Sequence, residues 1–284
     1  MALLPRFKGR STRWWAAFLF GAVVLGLLVA ESAARMAGLG DLPLYEVDAQ
    51  GNFIPATSQS GEFFGRYGWA VNERHLLVDE PFSPAPKDIL LIGDSVAFGG
   101  LQMDQSERLG TQLEALTGCD VWPLAAPGWS LRSELAVLRK KPDLLIPRTA
   151  IFLLNSEDFG PPSQWRSDLE HPRAQPISAL IYALRKRFFP PPETPSPPED
   201  PQWRADLAAF SEAYRGRTFM VEWPKTSELA AGDTPLPQIA AEQVDIADSP
   251  GWNAAFYRDS IHPTAAGTAR LAEIIAGNLP HCTK

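Results

Sequence analysis

Residues 88–95 read DILLIGDS, and this stretch decides the fold class. Its apolar run, Ile89 to Ile92, is short and closed by a glycine, the pattern of a strand buried on both faces of a sheet. Further strands are predicted at 119–124, 148–154 and 218–223, with a weaker one at 243–246. Because helical segments alternate with these strands, the sequence predicts an α/β fold, a three-layer open parallel sheet flanked by helices, similar to flavodoxin.

The intervening helices are predicted at residues 106–116, 130–141, 206–214 and 264–279. In the second of these, Ser130 suits the N-cap position, and Leu131, Leu135 and Leu138 fall on one face. Residues 87–284 are therefore expected to form the main domain. An insertion at 160–205 interrupts the alternation.

The composition fits one folded domain with attachments, since 45% of the 284 residues are hydrophobic. The net charge is −7 and no long basic run occurs beyond the N-terminus. A nucleic-acid partner is therefore not expected.

The first 34 residues are predicted to form a basic flank and a transmembrane anchor. An uncharged run extends from Trp14 to Ala30, is closed by Glu31, and follows the basic residues Arg6, Lys8, Arg10 and Arg13. As a helix this run would be about 26 Å long, close to the bilayer core of about 30 Å. The basic flank places the N-terminus in the cytoplasm and the remaining chain outside it. A cleaved signal peptide is the alternative, with small residues at 32–34.

Two segments lack the alternation of the main domain. Residues 35–86 are expected to be an extended lead-in that packs on it. The insertion contains an amphipathic segment, 177–189, expected to cover part of the domain, with attachment to a membrane surface as the alternative. Residues 190–201, with seven prolines in twelve residues, are expected to be extended and poorly ordered.

The chemistry is predicted at the loops that follow the strands. Ser95 lies directly after the first strand, where open α/β sheets bind ligands. Asp259 and His262 lie three residues apart, just before the last helix. A serine nucleophile needs a base and the base needs an orienting carboxylate, so these residues form a candidate triad. The other histidines, His75, His171 and His281, are less well placed; ordinary turn and capping roles are the alternative for the candidate triad.

Three motifs resemble those of the SGNH (GDSL) hydrolase family in order and spacing. They are Ile-Gly-Asp-Ser at 92–95, Ala-Pro-Gly-Trp-Ser at 126–130, and Asp-x-x-His-Pro-x-x-x-Gly at 259–267. The resemblance covers residues 87–284, and the lead-in around Trp69 is similar to that of bacterial membrane-anchored members. It implies an oxyanion hole built from the amides of Ser95 and Gly128 and an asparagine side chain. It also implies a single-pass protein of the bacterial inner membrane with a periplasmic catalytic domain.

A fourth motif departs from the family. Where the family has Gly-x-Asn-Asp, this chain has Asn155-Ser156-Glu157-Asp158, so that Glu157 occupies the asparagine position. A carboxylate there would repel a developing oxyanion. Because residues two apart on a strand face the same side, Asn155 is the candidate replacement donor.

The resemblance implies a carbohydrate O-acyl esterase or O-acyltransferase that acts on exported polysaccharide or envelope glycan, with an acylated carbohydrate as substrate. Polysaccharide-assembly proteins are candidate partners. No metal or cofactor is expected, since no cluster has ligand spacing. The alternatives are a catalytically degenerate scaffold that binds glycan without turnover and a lipase. In an exported α/β domain, Cys119 and Cys282 would lie at the same edge of the sheet and are expected to form a disulfide.

Overall fold

The computed structural model describes residues 12–192, 198–232, 242–279 and 281–282. The helices are α1 (Thr12–Met36), α2 (Ser95–Phe98), α3 (Leu109–Thr117), α4 (Leu131–Lys140), α5 (Ala179–Phe188), α6 (Gln202–Ala213), α7 (Thr226–Ala231) and α8 (Ala265–Ala276). The strands are β1 (Tyr45–Val47), β2 (Phe53–Pro55), β3 (Gln59–Phe63), β4 (Tyr67–Val71), β5 (Ile89–Gly93), β6 (Val121–Ala125), β7 (Thr149–Leu154), β8 (Arg217–Glu222) and β9 (Gln243–Asp245).

A parallel sheet of five strands, in the order β6-β5-β7-β8-β9, forms the centre of the described chain. The first predicted strand, β5, lies between β6 and β7, with Ile89 opposite Val121 and Thr149. All residues of β5, β6 and β7 are buried. Their continuous apolar runs are explained by helices on both faces, as predicted.

The two faces of the sheet carry separate cores because successive side chains on a strand point to opposite sides. Leu91 and Ile151 pack with α3 and α8, whereas Leu90 and Phe152 pack with α4 and α6. The predicted three-layer α/β fold is therefore confirmed. The predicted N-cap is also observed, since the Ser130 side chain accepts a hydrogen bond from the amide of Ser133.

The lead-in contains more regular structure than the sequence indicated. Strands β1 and β2 pair antiparallel, and so do β3 and β4. These strands are only three to five residues long. The segment packs on the main domain through side chains such as Leu76 and Leu77, which belong to the cores on the two faces of the sheet.

Helix α5 confirms the predicted amphipathic helix. Within α5 only Ala179 is fully buried, and Tyr182, which is half-buried, donates to the carbonyl of Leu169 at 3.0 Å, so the helix contacts the domain along one side only. The proline-rich stretch after it lies partly outside the described residues, at 193–197. The prediction of an extended, poorly ordered segment there stays a prediction.

Helix α1 contains the predicted apolar run. Residues Arg13–Met36 are long and apolar enough to cross a membrane, and none of the most apolar window is buried against the protein. A signal sequence near the N-terminus would have the same properties. The basic residues Arg6, Lys8 and Arg10 lie outside the described residues.

The two cysteines form a disulfide with an S–S distance of 2.08 Å. Cys119 follows the end of α3, and the amide of Cys282 donates to the carbonyl of Thr117 at 2.9 Å. The bond therefore ties the C-terminal end of the chain to the edge of the sheet opposite Ser95, as expected from the fold.

Candidate active site

Ser95 is presented by a tight turn between β5 and α2. The Asp94 carboxylate caps α2 by accepting a hydrogen bond from the amide of Val96 at 2.8 Å. A side chain at Gly93 would lie 2.8 Å from the Cβ atom of Ala97, so glycine lets the strand approach the helix closely. The turn leaves Ser95 half-buried at the carboxyl edge of the sheet.

The loop before α8 brings the other two candidate residues to this edge. The Asp259 Oδ1 atom accepts hydrogen bonds from the amides of Ile261, at 3.0 Å, and His262, at 2.8 Å. The Oδ2 atom lies 2.9 Å from His262 Nδ1, and His262 Nε2 lies 2.9 Å from Ser95 Oγ. The structure thus joins the three predicted residues in one chain of hydrogen bonds, across 167 positions of sequence.

The electrostatics of this chain keep the carboxylate of Asp259 ionised beside the histidine. Partial burial of Asp259 opposes its ionisation, but hydrogen bonds from the amides of His262 and Ile261 and from the imidazole outweigh it. The pKa of Asp259 is consequently lowered. An ionised Asp259 favours a proton on Nδ1 and leaves Nε2 to accept the proton of Ser95.

Two backbone amides near this edge are the predicted oxyanion donors. Ser95 is the first residue of α2, so its amide has no partner within the helix. Gly128 lies beyond the carboxyl end of β6 with φ +76°, and nothing lies within 4 Å of where its side chain would be. Within the described part of the chain, neither amide has a hydrogen-bond acceptor in the backbone or side chains.

Asn155 lies at the predicted position, but its side chain already has partners. Its Nδ2 atom donates to Asp94 Oδ2 at 3.1 Å and to Asp158 Oδ2 at 2.9 Å, and its Oδ1 atom accepts from the amide of Glu157 at 2.8 Å. An amide group has two hydrogens, and both are used here. To serve as an oxyanion donor, Asn155 must therefore release one carboxylate when substrate binds.

Glu157, the departure from the family motif, is neutralised by a residue that sequence reasoning missed. Its Oε1 atom lies 2.9 Å from the ammonium group of Lys225, just after β8. Glu157 also lines a cavity that reaches Asp94, the residue before Ser95. The ion pair reduces the repulsion that an isolated carboxylate would exert on an oxyanion.

Three buried carboxyl groups lie beneath this edge of the sheet. Burial raises the pKa of Asp94 to about 6, against the hydrogen bond from the Val96 amide and the charge of His262. Burial and the neighbouring Asp94 raise the pKa of Glu134 and Asp158 well above their ordinary values. Sequence reasoning missed this cluster, since only Asp94 and Asp158 belong to motifs and Glu134 is on the helix α4.

A cavity of about 400 Å³ opens from these groups. Its wall includes Gly128 and Asn155 on the side of the triad, and Gln164, Arg166 and Glu170 from the insertion. His171, judged poorly placed for catalysis, also lies on this wall, where its Nε2 atom is 2.9 Å from the carbonyl of Pro127. Burial lowers the pKa of His171 to about 4, so the imidazole is neutral at physiological pH.

Comparison with known proteins gave structural but no sequence matches. No family model matches the chain, and no curated protein matches it. A carbohydrate esterase family 2 enzyme of Corynascus thermopiles (Myceliophthora fergusii) is 18% identical with a TM-score of 0.39, covering 71% of this chain and 67% of that one. A lipase/acylhydrolase of Enterococcus faecalis is 14% identical with a TM-score of 0.42, and the match covers 70% of this chain and 100% of that one. A family two carbohydrate esterase of Clostridium thermocellum, solved with cellohexaose, is 11% identical with a TM-score of 0.39. The match covers 71% of this chain and 65% of that one.

Proposed function

We propose that this protein is a serine esterase of the SGNH type that acts on an acylated carbohydrate outside the cytoplasm. The observation that carries the proposal is the hydrogen-bonded chain from Ser95 Oγ through His262 to Asp259, with both links at 2.9 Å. Each residue of the chain is held by a loop at the carboxyl edge of the sheet.

Catalysis begins with proton transfer from Ser95 to His262. As Nε2 takes the proton, Oγ attacks the ester carbonyl and a tetrahedral oxyanion forms. Asp259 stabilises the imidazolium that results. The amides of Ser95 and Gly128 receive the oxyanion, with Asn155 as the third donor once it releases Asp94; each such donor contributes about 3–4 kcal/mol.

The second half of the reaction resolves the acyl-enzyme. His262 protonates the leaving alcohol, which departs, and then takes a proton from the incoming nucleophile. Water as nucleophile gives an esterase, whereas a sugar hydroxyl gives an O-acyltransferase. Both routes use the same residues, so the nucleophile is decided by access of water to the acyl group.

Polar groups in the wall of the cavity support a carbohydrate as substrate. Polar side chains, those of Gln164, Arg166 and Glu170, form much of the wall contributed by the insertion. A volume of about 400 Å³ lies in the usual range for small-molecule sites. Hydroxyl groups of a polysaccharide or envelope glycan would find donors and acceptors there.

Two features support an anchored protein with an exported catalytic domain. Helix α1 exposes apolar side chains along its length, such as Phe20, Leu25 and Val29. The disulfide between Cys119 and Cys282 fits an oxidising compartment such as the periplasm. We propose an inner-membrane protein, with polysaccharide-assembly proteins as candidate partners.

A glycan-binding scaffold without turnover is the rival function. Its main support in the sequence was the uncompensated carboxylate of Glu157, and the ion pair with Lys225 weakens that support.

The test is hydrolysis of p-nitrophenyl acetate by the full-length protein in detergent, followed by a panel of acetylated sugars. Wild type should release p-nitrophenol above background, Ser95→Ala should not, and Ser260→Ala, a serine in the loop of His262, should retain activity. Equal, background-level rates for wild type and Ser95→Ala would favour the scaffold. Activity on the nitrophenyl ester with none on acetylated sugars would contradict the substrate class alone.

A further inference from the structure

Helix α5 exposes a continuous apolar stripe. Ile177 lies two residues before α5, and Ile181, Leu184 and Phe188 recur within the helix at intervals of three and four residues, the spacing of one helix face. Their side chains are 100%, 59%, 46% and 65% exposed. Such a stripe costs free energy in water and marks a contact surface.

The start of α5 is bound to the end of the apolar run of α1. The carboxylate of Glu31 accepts hydrogen bonds from the Ser178 hydroxyl at 2.7 Å, the Ala179 amide at 2.9 Å and the Leu180 amide at 3.1 Å. Arg35 donates to the carbonyl of Ile177 at 2.7 Å. The anchor helix therefore caps α5 and fixes its position.

This attachment places α5 at the depth of the membrane surface. From Trp14 to Glu31 an α-helix rises about 26 Å, nearly the thickness of the hydrocarbon core of a bilayer. With Trp14 at one boundary, Glu31 lies at the other. A helix that begins at Glu31 begins where hydrocarbon meets headgroups.

The charges of α5 match an anionic lipid surface. Its last turn carries Arg185, Lys186 and Arg187, and no acidic residue occurs within Ala179–Phe188. A helix with an apolar stripe beside clustered cations is the type that lies in the plane of the interface.

We propose that α5 lies in the bilayer interface at the exported end of α1, with its apolar stripe in the acyl region and its cations on anionic headgroups. The inference rests on the proposed anchoring of α1. It also ties the cavity to the membrane, because the Tyr182 hydroxyl donates to the carbonyl of Leu169 at 3.0 Å, next to the cavity residue Glu170.

The experiment measures nitroxide accessibility in the full-length protein, reconstituted into nanodiscs of phosphatidylcholine with and without phosphatidylglycerol. Single cysteines replace Ile181 on α5, Phe20 on α1, and Leu116, a 41% exposed leucine of α3. Labelling without reductant keeps the native disulfide intact. Oxygen, which concentrates in lipid, is compared with a water-soluble nickel chelate as relaxing agent.

The label at position 181 should be relaxed more by oxygen than by the chelate, as at position 20, and the label at position 116 should show the reverse. If the chelate relaxes the label at 181 more than oxygen does, while oxygen relaxes the label at 20 more, the inference is overturned and the anchor is left intact. If the chelate relaxes the label at 20 more than oxygen does, α1 does not span the membrane, and both the anchor and the inference are contradicted. Dipolar broadening of the spectrum of the label at 181 would show that a second copy of the protein covers the apolar stripe, and this result also overturns the inference. Arg185→Glu/Lys186→Glu/Arg187→Glu should shift the label at 181 towards water in phosphatidylglycerol discs, and no shift contradicts the role of the cations.

Discussion

Replacing Asp259 by asparagine is expected to reduce activity more than replacing it by alanine, although asparagine is the closer match in shape. The order follows from the two oxygens of the carboxylate. Oδ1 accepts hydrogen bonds from the amides of Ile261 and His262 and lies 3.0 Å from His262 Nδ1, whereas Oδ2 faces only Nδ1, at 2.9 Å. In Asp259→Asn the carbonyl oxygen must stay with the backbone amides, so the NH2 group faces Nδ1.

A donor facing Nδ1 reverses the tautomer of His262. Nδ1 becomes the acceptor, the proton moves to Nε2, and Nε2 is then unable to take the proton of Ser95. Asp259→Ala loses the stabilisation of the imidazolium and leaves the exposed amides of Ile261 and His262 to water. For a carboxylate whose side chain is 49% exposed, an effective dielectric constant of about 40 gives a loss of roughly 2–3 kcal/mol. That corresponds to about a 10²-fold lower kcat/KM.

Asparagine loses the same interaction and adds the cost of the wrong tautomer. One net hydrogen bond, about 0.5–1.5 kcal/mol, makes the variant a further several-fold to 10-fold slower than alanine. The assay is kcat/KM for p-nitrophenyl acetate at pH 8, with thermal unfolding of both variants to show that they fold. Activity of Asp259→Asn equal to or above that of Asp259→Ala would refute the assigned hydrogen-bond directions.

Burial and nearby acidic groups raise the pKa of Glu222 to about 7. The protonated side chain binds its proton more tightly in the folded state, and the stability gained in this way is complete below pH 4.5 and is lost as the pH rises through 7. At pH 8, Glu222→Gln should therefore increase the free energy of unfolding by about 1–2 kcal/mol, after allowance for solvent screening, and Tm should rise with it. At pH 4 the substitution should leave Tm unchanged. Lys225→Met should lower kcat/KM several-fold, which corresponds to about 1 kcal/mol, because Glu157 loses its counter-charge. Adding Glu157→Gln to this variant should restore the rate. If the rate does not recover, Lys225 acts in another way. Removal of the disulfide by Cys119→Ala/Cys282→Ala opens a loop spanning 163 positions and should cost about 2–5 kcal/mol of stability. The Tm of that variant should match reduced wild type, and an unchanged Tm would contradict a stabilising role.

The sheet and the triad could be predicted because both leave local signals. An apolar run such as Ile89–Gly93 marks a strand buried on both faces, and Ser95 follows it directly. Parallel strands bring their following loops to one edge, so Asp259 and His262 were expected near Ser95 even at a separation of 167 positions.

The strands of the lead-in could not be predicted in the same way. β3 is partly exposed throughout, so its residues give no apolar run. β1 and β2 are three residues each, too short for a periodic pattern. Their pairing depends on contacts with the main domain that the local sequence does not contain.

The partners of the site residues also required the structure. Lys225 and Glu157 are 68 positions apart, and nothing near either residue indicates the ion pair. Asn155 was expected to offer its amide to substrate, whereas Asp94 and Asp158 accept both hydrogens. Burial of these carboxylates is a property of the packed edge of the sheet.

Covalent labelling tests the central claim most directly. A fluorophosphonate reacts with a serine only where a base removes its proton and donors stabilise the charged oxygen that forms. Full-length protein treated with the reagent should gain one adduct, mapped by mass spectrometry to the peptide containing Ser95, and His262→Ala should gain none. An adduct on another residue, or none in a preparation that hydrolyses p-nitrophenyl acetate, would contradict Ser95 as the nucleophile.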